Sequence, residues 1–182
     1  MLMGAVSKYT TYRQVVDDPR CQEILKWAAA EADTQMSGEE FLSSAAKVAS
    51  IPLPLGAIGA GLGRGYAALG VKTGKTQTHV VNQPYGYVLL AVLAFLAASA
   101  MPIVDVADTS EQAVVQAVLP SNPLSWRGRV IVALRADEGR VHVEAGTNIP
   151  GQLYDWGRSK RVLAKLLQAV DARASTFRER DL

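Results

Sequence analysis

Residues 85–104, YGYVLLAVLAFLAASAMPIV, form an apolar run of 20 residues, and no Lys, Arg, Asp or Glu occurs between Lys75 and Asp105. A helix of that length rises about 30 Å, close to the hydrocarbon thickness of a bilayer. Nine of the residues are Val, Leu, Ile or Phe, and together they favour insertion by roughly 3–5 kcal/mol. Pro84 suits a first helical turn. Tyr85 and Tyr87 sit where aromatic residues meet a membrane interface. The run therefore predicts a membrane-spanning helix. The alternative is a fully buried central helix of a globular protein; length and lack of charge favour the span.

Charge around the run sets an orientation. Lys72 and Lys75 precede it, and Asp105, Asp108 and Glu111 follow it. Positive residues stay on the cytoplasmic side, so the helix is expected to run from inside to outside. Residues 105–182 then lie on the non-cytoplasmic side of a bacterial inner membrane or an organellar membrane.

A second apolar stretch, residues 51–70, is broken by Pro52 and Pro54 and then becomes glycine-rich. Gly59, Gly63 and Ala67 recur every four residues. Small residues at that spacing leave a groove into which another helix backbone presses. Ala91, Ala94 and Ala98 make a matching row on the main run. The expectation is a membrane hairpin over 51–104, zipped through these six residues. Arg64 limits how deep the first arm can sit unless its side chain reaches the interface.

Residues 1–50 read as short amphipathic helices. Asp17-Asp18-Pro19 is a helix start, with Asp at the cap and Pro in the first turn. Cys21, Ile24, Leu25 and Ala28 follow at helical spacing. Ser37 and Glu40 form a capping box, and Phe41, Leu42, Ala45, Val48 and Ala49 make the next apolar face. With one cysteine in the chain, no internal disulfide framework exists.

Residues 105–182 are expected to form a small α+β domain of the order helix–strand–strand–helix. A short helix is predicted over 109–119, ended by Pro120. Strands follow over 129–135 and 140–145, joined by a turn at 136–139. In the second strand Val141, Val143 and Ala145 face inward, and Arg140, His142 and Glu144 face outward. A helix over about 153–174 presents Leu163, Leu166, Leu167 and Val170 to a core. Two strands alone make a marginal sheet, so another strand from outside the unit, a partner chain, or tight packing on the N-terminal helices is expected. The fold class is an α+β membrane protein: N-terminal helices, one or two transmembrane helices, and this extramembrane unit.

Function is less constrained. Basic and acidic residues number eight and seven before residue 105 and eleven and ten after it, so neither part is a basic nucleic-acid surface. Residues 70–76 end in Gly74-Lys75-Thr76, resembling the end of a phosphate loop, but Leu69 occupies the position of that motif's first glycine. His79 and His142 each lack a second ligand nearby in sequence and read as surface residues. Arg158, Lys160, Arg161 and Lys165 on the last helix could meet lipid headgroups. No catalytic, cofactor or metal site is expected. The reading is a non-catalytic membrane subunit or assembly factor, with other membrane subunits, itself or the bilayer as partners. The alternatives are a nucleotide- or phosphate-dependent membrane enzyme using residues 70–76, and a membrane-anchored lipid-binding module.

Overall fold

The structure, a computed structural model, describes residues 5–32, 36–48, 51–52, 75–121, 127–149 and 157–180. A 3₁₀ turn (Val6–Lys8) leads into α1 (Tyr12–Asp17), α2 (Pro19–Ala30) and α3 (Gly38–Lys47). Strands β1 (Ile51–Pro52) and β2 (Lys75–Val81) come next, then α4 (Tyr85–Ala98). Strands β3 (Ile103–Thr109), β4 (Gln112–Leu119), β5 (Gly128–Asp137) and β6 (Arg140–Asn148) follow, and α5 (Arg158–Glu179) closes the order. The sheet runs β1-β3-β4-β5-β6-β2. All neighbours pair antiparallel except β1, which joins β3 in parallel.

The long apolar run does not cross a membrane. It divides into α4, a short link, and the start of β3. Helix α4 has 14 residues, about 21 Å at 1.5 Å per residue. Among the described residues no helix is long and apolar enough to span a bilayer. Twelve of the 14 residues of α4 are buried, Tyr85 and Tyr87 included, so these tyrosines are core rather than interfacial. The helix lies between the sheet, at β5 and β6, and an outer layer of α1, α2, α5 and the 3₁₀ turn. The protein surrounds it with the apolar environment that the sequence assigns to lipid. The expected span, its inside-to-outside orientation, the membrane location and the non-cytoplasmic placement of 105–182 fall together. The glycine-rich arm of the expected hairpin lies outside the described residues.

Local chemistry explains where α4 stops. Met101 N–H bonds Leu96 C=O at 2.9 Å and Ala100 N–H bonds Ala97 C=O at 3.0 Å. Ala100 takes φ +49°. These are the two bonds of a Schellman ending, with alanine where glycine is usual. Pro102 then prevents any helical continuation.

One core joins residues from Val6 to Phe177. Its sheet side alternates as a half-buried sheet requires: Val141, Val143 and Ala145 on β6 and Val130, Val132 and Leu134 on β5 face the helices. The predicted second strand has that pattern. Glu144 departs from it, being 9% exposed. The opposite sheet face is also buried at its centre, through Val114, Ile131 and Ala133. Burial on both faces makes residues 112–119 nearly continuous in hydrophobicity, and the predicted helix over 109–119 is in fact β4. The additional strands that the two-stranded unit needs come from this chain, as β2, β3 and β4.

Helices α2 and α3 begin where their caps predict. Asp18 accepts from Arg20 N–H at 2.7 Å and pairs with the Arg20 guanidinium at 2.8 Å. Tyr9 also donates to it. Burial disfavours the charged carboxylate, but these hydrogen bonds outweigh it and hold the Asp18 pKa down at about 2. Ser37 and Glu40 form the expected capping box.

Candidate binding cleft

A cleft of about 490 Å³ opens at one end of the sheet. Five separate segments build it: residues 7–10, the link 82–85, Glu111, the hairpin 136–141, and Arg178 near the end of α5. Sequence-local features place each of them. The β5–β6 hairpin turns through Glu138 at φ +48° and Gly139 at φ +79°, the left-handed pair of a tight two-residue turn. Glu111, at φ +59°, clamps two neighbours. Its N–H bonds Thr10 C=O at 2.6 Å, and its C=O accepts from Ala136 N–H at 2.9 Å. This ties the N-terminal segment to the sheet.

The link into α4 forms the inner wall. Pro84 caps the helix with no side-chain hydrogen bond. Gly86 permits the 3₁₀ turn to lie against the first helical turn; a Cβ there would sit 1.9 Å from Val6 O. Gln83 Nε2 donates to Ser175 Oγ at 3.3 Å, which anchors the link to α5. Gln83 Oε1 and the Tyr85 hydroxyl are enclosed and have no hydrogen-bond partner among the described residues. Burial pushes the Tyr85 pKa well above the usual tyrosine value, with Asp108 and Glu111 adding to it. The hydroxyl therefore keeps its proton and can donate, and the Gln83 side-chain carbonyl can accept.

The lining carries both signs of charge: Lys8, Arg140 and Arg178 against Glu111, Asp137 and Glu138. Arg140 lies 3.9 Å from Glu138, and Asp137 lies 3.9 Å from Arg135 and 3.6 Å from His142 Nε2. The lining includes neither histidine nor cysteine. Among the described residues no group of three His, Cys, Asp or Glu could hold a metal ion.

The residues singled out from sequence fall elsewhere. Ala91 and Ala94 are fully buried in α4, and Ala98 is half-buried; they pack within the protein core. Their expected partners Gly59, Gly63 and Ala67 lie outside the described residues. Lys160, Arg161 and Lys165 are exposed on α5, and Lys160 is about 27 Å along the helix from Arg178. For Arg158 only the backbone is described. Lys75 and Thr76 open a strand, whereas a phosphate loop needs a helix after it; residues 70–74 lie outside the described residues. His79 is in β2 rather than a loop, with Nε2 2.5 Å from Asp171 Oδ2.

Sequence reasoning missed the cleft. Lys8, Gln83, Glu111 and Arg178 have no shared spacing, and only the fold brings them together. Comparison of the chain with protein-family models, with curated proteins and with solved structures finds no match.

Proposed function

We propose that the chain is a non-catalytic recognition subunit or assembly factor that docks an extended segment of a partner protein in this cleft. The orphaned pair beneath the cleft carries the reading. Gln83 Oε1 needs a donor and the Tyr85 hydroxyl needs an acceptor. A peptide group supplies one of each. Left unmet, each buried polar group costs about 1–3 kcal/mol, which a ligand that supplies both partners would recover. The rim supports a polypeptide rather than a simple anion or cation, because its bases and acids are equal in number.

The test separates binding from stability. Tyr85→Phe removes an unmet hydroxyl, so chemical denaturation should find the free protein unchanged or about 1 kcal/mol more stable. Selection from a displayed heptapeptide library should enrich peptides that bind wild-type protein and bind Tyr85→Phe at least tenfold more weakly. Arg140→Glu with Arg178→Glu should abolish their capture. A stability loss above about 2 kcal/mol in Tyr85→Phe would show that the hydroxyl is already satisfied, and the reading would then fail. Enrichment of no peptide, or of peptides indifferent to the rim substitutions, would also reject it.

A further inference from the structure

The two ends of the sheet are protected unequally. The β1 edge is two residues long and includes Pro52, both of which discourage strand addition. The β2 edge is seven residues long, KTQTHVV. It has no proline, and Lys75 at its first position is its only Lys, Arg, Asp or Glu. β2 pairs with β6 on one side and with no strand on the other among the described residues. Thr76, Thr78 and Val80 are exposed, Val80 at 41%. Natural edges of this length normally carry a charge, bulge or proline near the middle, and β2 has no Lys, Arg, Asp, Glu, proline or bulge there.

We propose that β2 is the interface of a symmetric dimer of this chain, the two copies pairing β2 antiparallel about a two-fold axis at Thr78. The self-complementarity of the strand identifies the occupant. Full overlap of seven residues on seven puts Thr78 opposite its own copy. Gln77 then meets His79, Thr76 meets Val80, and Lys75 meets Val81. No like charges face each other, and Thr–Thr and Thr–Val pairs are favourable cross-strand neighbours. Every pair keeps sheet-face parity, so both helical layers lie on one side of a continuous sheet. A two-fold axis closes the assembly at two copies and uses the open edge completely. Thr76, Thr78 and Val80, on the face of β2 away from the helices, are exposed.

The axis makes a register-specific test possible. Residue 78 is the one position whose substitution faces itself. Wild-type protein should have the mass of a dimer by size exclusion with light scattering. Thr78→Lys and Thr78→Glu should each have the mass of a monomer, with circular dichroism unchanged because the side chain is exposed. An equal mixture of the two variants should recover the dimer mass. A wild-type monomer at all accessible concentrations would overturn the proposal. So would dimers of either single variant, which would place the interface elsewhere, or a mixture that stays monomeric, which would reject the register.

Discussion

Helices α4 and α5 pack against each other and carry their information in opposite ways. α5 is amphipathic: Leu163, Leu166, Val170 and Ala174 are fully buried, while Lys160, Arg161 and Lys165 are exposed. Its pattern announces both a helix and the direction of the core. α4 is apolar on every side, because the sheet lies on one side of it and helices on the others. A helix with no polar face has no direction to announce. Its sequence is equally suited to hydrocarbon and to a protein interior, so hydropathy alone cannot distinguish the two. Length separates them, and length is set by the Schellman ending at Ala100.

The comparison is broken most severely by charge. Asp introduced at Leu89, Leu90, Ala91 or Val92 in turn should abolish cooperative unfolding at each position, because all four successive residues are fully buried. An uncompensated buried carboxylate exceeds the few kcal/mol of stability such a domain has. The same scan over Leu163, Ala164, Lys165 and Leu166 in α5 should be periodic, lethal to folding at 163 and 166 and tolerated at 164 and 165. Thermal unfolding of the eight variants measures it. A periodic result in α4 would mean that one of its faces is open.

A smaller effect tests how closely the outer layer approaches α4. Gly86→Ala places a methyl 1.9 Å from Val6 O, a backbone atom that moves only with its whole 3₁₀ turn. Overpacking of this kind costs about 1–3 kcal/mol, more than the gain in helix propensity of about 1 kcal/mol from replacing glycine. Denaturant titration should therefore show net destabilisation. A stabilised Gly86→Ala would mean that the 3₁₀ turn is not seated on α4.

What was legible follows the same division. Elements specified by neighbours in sequence were readable: Asp18 before Pro19, the Ser37–Glu40 box, the Glu138–Gly139 turn, and the alternation of Val141, Val143 and Ala145. Elements specified by tertiary burial were not. β4 has buried residues on both faces, so Gln112–Leu119 lost the period of two that identifies a strand. α4 lost its boundary because Ala100 adopts a left-handed conformation that glycine usually signals. The cleft was invisible for a third reason. Its groups come from five segments, and nothing in the sequence ties Arg178 to Gln83 or to the hairpin until the chain is folded.

The smallest effect is expected on the open face of α5. Lys160 and Arg161 are exposed, and neither is among the lining residues of the cleft. Replacing both with alanine should change stability by no more than about 0.5 kcal/mol, the usual range for surface substitutions away from special features. It should leave peptide capture by the cleft unchanged. The same double variant asks whether this face serves anionic lipid, since each basic residue near such a surface contributes about 1 kcal/mol. If it does, co-sedimentation with phosphatidylserine vesicles at low salt should fall at least tenfold in the variant, and wild-type binding should weaken as salt is raised. If wild type and variant sediment alike, the basic row is a solvated helix face. α5 would then be what its pattern says and no more, a helix with its core side against α4 and its other side in water.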